Sequence, residues 1–334
     1  MNQTGRGHRL KFLHAHEFYL CIFVCVVLAV FQLINRNFLT GENMLDVLKD
    51  ISFMGLLTTA MFVVIIAGGI DISICPIAAC VQYLMGILMV KFDAPPVVAL
   101  ILPIVLGIAM GSLNGVLIHF LKVPPMIVTI ATMNIYNSIL QIVTGGNWLY
   151  QFPQWFADFS NWKLVSFSNN AGGSYGLSGL VLIWIVAMLF VYLLMNKCTL
   201  GRKIYAMGSN IVAAERAGIN ILGMRVFVYA LCGMLSAIAG IVQAASAQFI
   251  TTNSMSGLDM YAIAAIALGG ARLAGGRGTI FGTILGTCVL QIVGNGLQLS
   301  KVSSYWVTAS VGIILMVSII ITAVQGMLED RRER

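Results

Sequence analysis

Only 9% of the 334 residues are charged while 59% are hydrophobic, against about 25% charged in an ordinary soluble domain. A globule of this size with so few charges would not stay dispersed. The composition therefore excludes a soluble enzyme or a string of soluble domains and points to one polytopic bundle in a bilayer. The net charge of +7 sits at the ends of apolar runs, where lysine and arginine anchor to headgroups, and is not a nucleic-acid signal.

A helix needs roughly 20 apolar residues to cross a hydrocarbon core of about 30 Å. On that measure the chain predicts an all-α membrane protein of about ten spans, near residues 18–35, 47–68, 74–90, 96–119, 126–145, 178–196, 225–247, 258–270, 278–297 and 304–327. The first run follows a basic start (Arg6, Arg9, Lys11) but no small-residue cleavage site comes after it, so it reads as a retained span. The eighth is short enough to be bent or partly re-entrant. With the N-terminus in the cytoplasm, fourteen of the lysines and arginines fall on the inner side and five on the outer side. That bias fits the positive-inside rule and puts both termini, and the segment 197–224, inside.

In chain order, the first break is Ala67-Gly-Gly-Ile-Asp-Ile-Ser73, where Gly68 and Gly69 interrupt the second span. Asp71 there either caps the next helix or belongs to a hinge. Gly107, Gly111 and Gly115, and later Gly282 and Gly286, recur every four residues, a spacing that lets helices approach closely in lipid. The outer connection, residues 146–177, carries Trp148, Tyr150, Trp155, Trp162 and Tyr175. These aromatics suit the headgroup layer, and either anchor the loop there or offer a surface to an external partner. The seven cysteines fall mostly in apolar runs without a Cys-x-x-Cys pair and read as buried thiols, with no metal role.

The one long polar block runs from Thr199 to Asn220. Ser209 and Asn210 are good helix N-caps, Ile211 to Ala217 can form about two turns, and Gly218 is a natural terminator. A helix that short is not stable alone and makes sense packed on the bundle or on a partner. Further on, Gly269-Gly-Ala-Arg-Leu-Ala-Gly-Gly-Arg-Gly278 joins two spans rather than a strand and a helix, so it reads as a tight inner turn and not a phosphate cradle. Gly269 and Gly270 begin it. Asp259 is the other notable carboxylate, near a span end.

No catalytic constellation is present. The chain has no phosphate-binding Gly-x-x-x-x-Gly-Lys-Ser/Thr loop and no His-Glu-x-x-His. An intramembrane enzyme would need a nucleophile, a metal set or paired carboxylates. An ion-coupled secondary transporter would need buried charges or unwound helices, and charges are scarce within the spans. Neutral polar residues do recur there: Asn114, Thr132, Asn134, Asn137, Gln243, Gln291 and Asn295. Each can bond helix to helix; as a set they also suit the path of an uncharged polar solute.

Four stretches together carry a family likeness: Gly68-Gly-Ile-Asp-Ile-Ser73, Gly111-Ser-Leu-Asn-Gly-Val-Leu-Ile118, Gly201-Arg-Lys-Ile-Tyr through Asn220, and Ala262-Ile-Ala-Ala-Ile through Gly278. In this order the chain resembles the ribose-type permease subunits of bacterial ABC importers over about residues 38–320. The resemblance implies a ten-span permease of type II-like architecture in the inner membrane. It also implies a second permease subunit, two cytoplasmic ATPase subunits that bind ATP and Mg, and a periplasmic or surface-anchored solute-binding protein, with no cofactor on this chain. Solutes of the family are pentoses, hexoses, polyols and, in one branch, autoinducer-2, moved by alternating access. By the same resemblance, residues Gly208, Ser209, Asn210, Ala213, Ala214, Glu215, Arg216, Ala217 and Gly218 dock into the ATPase. One departure stands out: where the family continues with small residues after its Gly-Gly-Ile-Asp motif, this chain has Ile74-Cys-Pro-Ile-Ala78, so the solute is not carried over from sugar-transporting members.

Overall fold

The computed structural model describes residues 16–168 and 174–332. The N-terminal segment expected in the cytoplasm, with Arg6, Arg9 and Lys11, and the terminal Arg334 lie outside the described residues. The helices are α1 (His16–Ile34), α2 (Gly41–Ile66), α3 (Ile74–Val90), α4 (Pro96–Leu121), α5 (Pro125–Thr144), α6 (Gln154–Asn161), α7 (Gly179–Lys197), α8 (Thr199–Ser209), α9 (Ile211–Arg216), α10 (Ile221–Ala247), α11 (Leu258–Leu268), α12 (Ile280–Leu299) and α13 (Ser304–Arg332). Of these, α1, α2, α4, α5, α7, α10 and α12 are long and apolar enough to cross a bilayer. The apolar α3 and α11 are shorter, with 17 and 11 residues. Each of the ten apolar segments expected from the sequence is helical.

The layering follows the distribution of small and large side chains. α2 and α10 form the centre, with 83% and 67% of their apolar windows buried, while α1 lies at the rim with 11%. α10 packs on α4, α2 and α3. Its contact with α4 is made backbone to backbone. A Cβ on Gly111 would fall on the carbonyl oxygen of Tyr229, one on Gly107 would lie 2.7 Å from Gly233 O, and one on Gly115 would lie 2.8 Å from Val226 Cα. The second glycine pair works the same way, since Gly286 rests on the carbonyl of Ala265 and Gly282 on that of Gly269, locking α12 onto α11. Small residues here replace the hydrophobic drive that lipid removes with close van der Waals contact. Outward faces of α4, α5 and α7 present large apolar side chains such as Ile101, Ile139 and Phe190, as a lipid-bathed surface requires.

The connection 146–177 is more ordered than a loop lying flat at the interface. It folds into α6 and an antiparallel hairpin of β1 (Lys163–Ser168) and β2 (Ser174–Ser178), in which Val165 faces Leu177 and Phe167 faces Tyr175. The all-helical expectation thus holds for the apolar elements, with one hairpin added. Phe156 of α6 is fully buried, whereas Trp148, Tyr150 and Trp162 are exposed. Trp148 stacks on Phe249 at 5.8 Å, and Leu149 and Ile250 exchange backbone hydrogen bonds of 2.9 Å, tying this end of the molecule to the end of α10.

Candidate functional site

Two places in the bundle draw together the residues that sequence reasoning singled out. The first is the polar block. α8 leaves α7 with no room to spare, because Gly201 sits against the backbone of Leu194 and Met195. Ile204 and Met207 of α8 are buried, and Arg202 and Lys203 face outward. Its Tyr205 hydroxyl donates to Gly278 O at 2.9 Å; burial raises the pKa of this phenol, which keeps it a neutral donor.

At the end of α8 three chain segments meet through glycine backbone. Gly208 touches the carbonyl of Ile66, the last residue of α2, and that same oxygen accepts the amide of Gly276 at 3.0 Å. Gly275 lies on Gly68, and Gly276 on Ser209. Gly68 has φ +84° and Gly275 φ +95°, values that L side chains adopt only with strain. The break after α2, the block and the 269–278 turn, three separate features of the sequence, therefore form one joint. Within that turn the Arg272 amide donates to Arg277 O at 2.9 Å and Arg272 O accepts the Gly275 amide at 2.9 Å, closing a tight loop. Gly270 ends α11, its amide donating to Ala267 O at 3.0 Å, and Gly269 packs on α12. Gly69 faces the Tyr229 hydroxyl.

Beyond the joint stands α9. Asn210 alone is its cap, with Oδ1 accepting the amide of Ala213 at 3.0 Å; Ser209 instead closes α8, its hydroxyl donating to Tyr205 O at 2.9 Å. The far end is closed by Gly218 at φ +80°, with the Gly218 amide on Glu215 O at 2.9 Å and the Ile219 amide on Ala214 O at 3.1 Å. Only Ala214 is buried. Ala213, Glu215, Arg216, Ala217 and Gly218 are exposed, and so are the apolar Ile211 and Val212, at 40% and 57%. This leaves a short, capped helix with exposed apolar side chains standing out from the joint.

The second place is a chamber of about 450 Å³ between α3, α5 and the segment before α11. Its polar wall is Asn137, Thr252, Asn253, Ser256 and Asp259; its apolar wall includes Met126, Met133, Met255 and Met260. Pro76, the departure from the family pattern, lines it too. It occupies the first turn of α3, where a missing amide breaks no helical bond, so the helix is not kinked.

Of the seven neutral polar residues proposed for a solute path, Asn137 lines this chamber and the others are elsewhere. Asn114 belongs to a buried knot at the α2–α3 break: its Nδ2 donates to Ser73 Oγ at 2.7 Å, and the Ser73 amide and hydroxyl donate to Asp71 Oδ1 at 2.9 and 2.6 Å. Asp71 thus holds the break together by binding two residues ahead. Thr132 and Asn134 return to their own helix, on Thr129 O and Ile130 O, and Asn134 is exposed. Gln243 Oε1 is buried without a partner among the described residues. Gln291 and Asn295 sit together at a separate cavity of about 180 Å³ beside Asp50, where Asn295 and Asn43 exchange hydrogen bonds of 2.9 and 3.1 Å. Bonds of this kind average about 0.6 kcal/mol, so Asn295→Ala is expected to lower thermal stability slightly in detergent. An Asn43→Ala/Asn295→Ala double mutant is expected to lose less than the sum of the two singles. The chamber residues that sequence reasoning missed were signalled by the polar run Thr251-Thr-Asn-Ser-Met-Ser256 just ahead of the shortest apolar segment.

Residues 43–322 match the family described as branched-chain amino acid transport system / permease component. Among characterised relatives, the chain is 31% identical to the ribose import permease protein RbsC of Bacillus subtilis, over 91% of each chain. It is 29% identical to RbsC of Escherichia coli K12, over 90% of this chain and 91% of that one. It is 30% identical to the autoinducer 2 import system permease protein LsrC of Escherichia coli HS, over 92% of this chain and 87% of the relative. No solved structure matches the chain.

Proposed function

Since this chain belongs to the branched-chain amino acid transport system / permease component family, we propose that α9 is the handle by which a soluble ATPase moves the bundle, and that the chamber at Asn137 and Asp259 is the solute path. The chain is the permease subunit of an ATP-driven importer, a multi-pass protein of the bacterial inner membrane; it works with an ATPase and a solute-binding protein, and is not itself an enzyme. The finer reading is that ATP and Mg bind on the ATPase, that a second permease subunit completes the path, and that ATP-driven closure of the ATPase pair rocks the two halves in alternating access. In that reading residues 197–224 and both termini face the cytoplasm, and the hairpin end faces the binding protein.

The observation that carries this proposal is the exposure of Ile211 and Val212 on α9, next to α8, which is anchored through Gly208 to the end of α2 and to the 269–278 turn. The solute we infer is neutral and sugar-like, as the ribose and autoinducer 2 relatives suggest. The family description would also admit an amino acid, but among the described residues no lysine or arginine lines the chamber to meet its carboxylate. Glu215 is exposed, so Glu215→Arg is expected to leave the protein in the membrane and abolish uptake; uptake at the parent rate would overturn the handle. Gly218→Trp is expected to do the same. Reaction of a membrane-impermeant thiol reagent with Asn210→Cys from outside intact cells would overturn the orientation. A helix broken within the membrane also occurs in ion-coupled carriers. Uptake in vesicles containing ATP but no ion gradient separates that reading, since an ion-coupled carrier would stop.

A further inference from the structure

The chamber floor lies at a depth where charge is costly, and it carries a carboxylate. α11 has 11 residues, which at 1.5 Å each make about 16 Å, half of a hydrocarbon core of about 30 Å. Its C-terminal end is fixed at the joint, where Gly269 packs on Gly282 and Gly275 on Gly68. With the joint at the cytoplasmic face, as proposed above, its N-terminal end stops about halfway across. The other half of the crossing is made by residues 251–257, which descend from the Ile250–Leu149 pair in non-helical turns and end on Gly257 at φ +83°. Irregular backbone at that depth survives only where protein or a watery cavity satisfies it. Here it is pinned on both sides: Gln82 Nε2 of α3 donates to Ser254 Oγ at 2.7 Å, and Gln141 Nε2 of α5 donates to Asn253 Oδ1 at 3.2 Å. Its Thr252, Asn253 and Ser256 line the chamber.

Asp259 sits in the first turn of α11 and is 7% exposed. Among the described residues lining the chamber it alone carries an ionisable acidic or basic side chain of the Asp, Glu, Lys or Arg type. The next carboxylate, Asp71, is turned into its knot with Ser73. An ionisable side chain placed inside a membrane bundle and facing a cavity marks a solute or ion pathway. Its chemistry sets what passes. A carboxylate accepts hydrogen bonds from hydroxyl groups, the neighbouring Asn137 and Asn253 amides both donate and accept, and a like charge is repelled in a narrow low-dielectric space.

We propose that the half-crossing helix and its descending loop form a selectivity station, in which Asp259 receives a hydroxyl of a neutral solute and turns anionic solutes, such as phosphorylated sugars, away. This rests on the chamber being the solute path. The test uses the full chain in detergent and a thiol introduced by Asn137→Cys, followed at that residue by peptide mass spectrometry so that Cys75 in the same wall does not confuse the reading. Its rates with a cationic and an anionic methanethiosulfonate are compared with those of a free thiol in solution. The cationic reagent is expected to be favoured at least about tenfold over the solution ratio. Asp259→Asn is expected to abolish the preference, and Asp259→Glu to retain it. Labelling without a charge preference, or with a preference that survives Asp259→Asn in a monodisperse protein, overturns the station and leaves the path standing. Failure of both reagents to reach the thiol overturns the path itself.

Discussion

Gly208→Val is expected to leave the protein in the membrane at close to its normal level and to cut ATP-driven uptake at least about tenfold. A side chain at this position meets only backbone: the carbonyl of Ile66 and, at 2.9 Å, the amide nitrogen of Gly276. Neither can rotate out of the way, so α8 must back off from α2. The Gly276 amide then loses its 3.0 Å bond to Ile66 O, and the strain amounts to about 1–3 kcal/mol. The deep core of α2, from Leu56 to Ile66, is distant from solvent and packed by other helices, which is why the expected loss is in transmission rather than in folding. Gly208→Ala is expected to fall between Val and the parent. Uptake measured against membrane-resident protein checks this, and undiminished uptake by the valine variant would refute the joint as a transmitting element.

Gly111→Leu is expected to have the opposite signature, a loss of folded protein with any uptake lost in proportion. Its Cβ would lie on the Tyr229 carbonyl and 3.1 Å from Gly233 Cα. The crossing of α4 and α10 is closed by backbone on both sides, and α10 is also shared with α2 and α3. Overpacking of this kind typically costs about 1–3 kcal/mol and more where nothing can yield. The matching control is Gly312→Leu, where nothing lies within 4 Å; that variant is expected to melt and elute like the parent. Melting temperature and monodisperse yield in detergent are the measurements, and equal behaviour of the two variants would contradict the account of the glycine crossing.

Local constraints made much of the fold legible. Lipid forces long apolar runs, so the helices were readable from hydropathy. The four-residue glycine spacing foretold the crossings of Gly111 and Gly286. Asn210 and Gly218 bracket α9 because cap chemistry depends on neighbours a few residues away. What escaped depends on distant partners. α8 carries Gly201 and Gly208 and has no side-chain cap, so its sequence reads poorly as a helix until α7 and α2 are seen to demand those glycines. The paired strands β1 and β2 carry no strong strand signal in the sequence. Polar residues were the hardest to assign, because Asn114, Asn134 and Asn137 look alike in a string and one ties a knot, one bonds its own helix and one faces a chamber. Asp259 showed as a span-end carboxylate; its depth becomes visible only when the ends of α11 are located.

That depth has a consequence for leakage. On the proposed path, water admitted to the chamber would stop about midway, and the barrier ahead of it would be the stretch from Ala262 to Leu268, seven side chains without a polar atom among them. Seven residues at 1.5 Å each make a plug of about 10 Å, about a third of the insulation that a full-length span provides. In the proposed cycle, opening so short a plug would ask for a shift of about two helical turns, and closing it promptly would keep the cell's gradients intact.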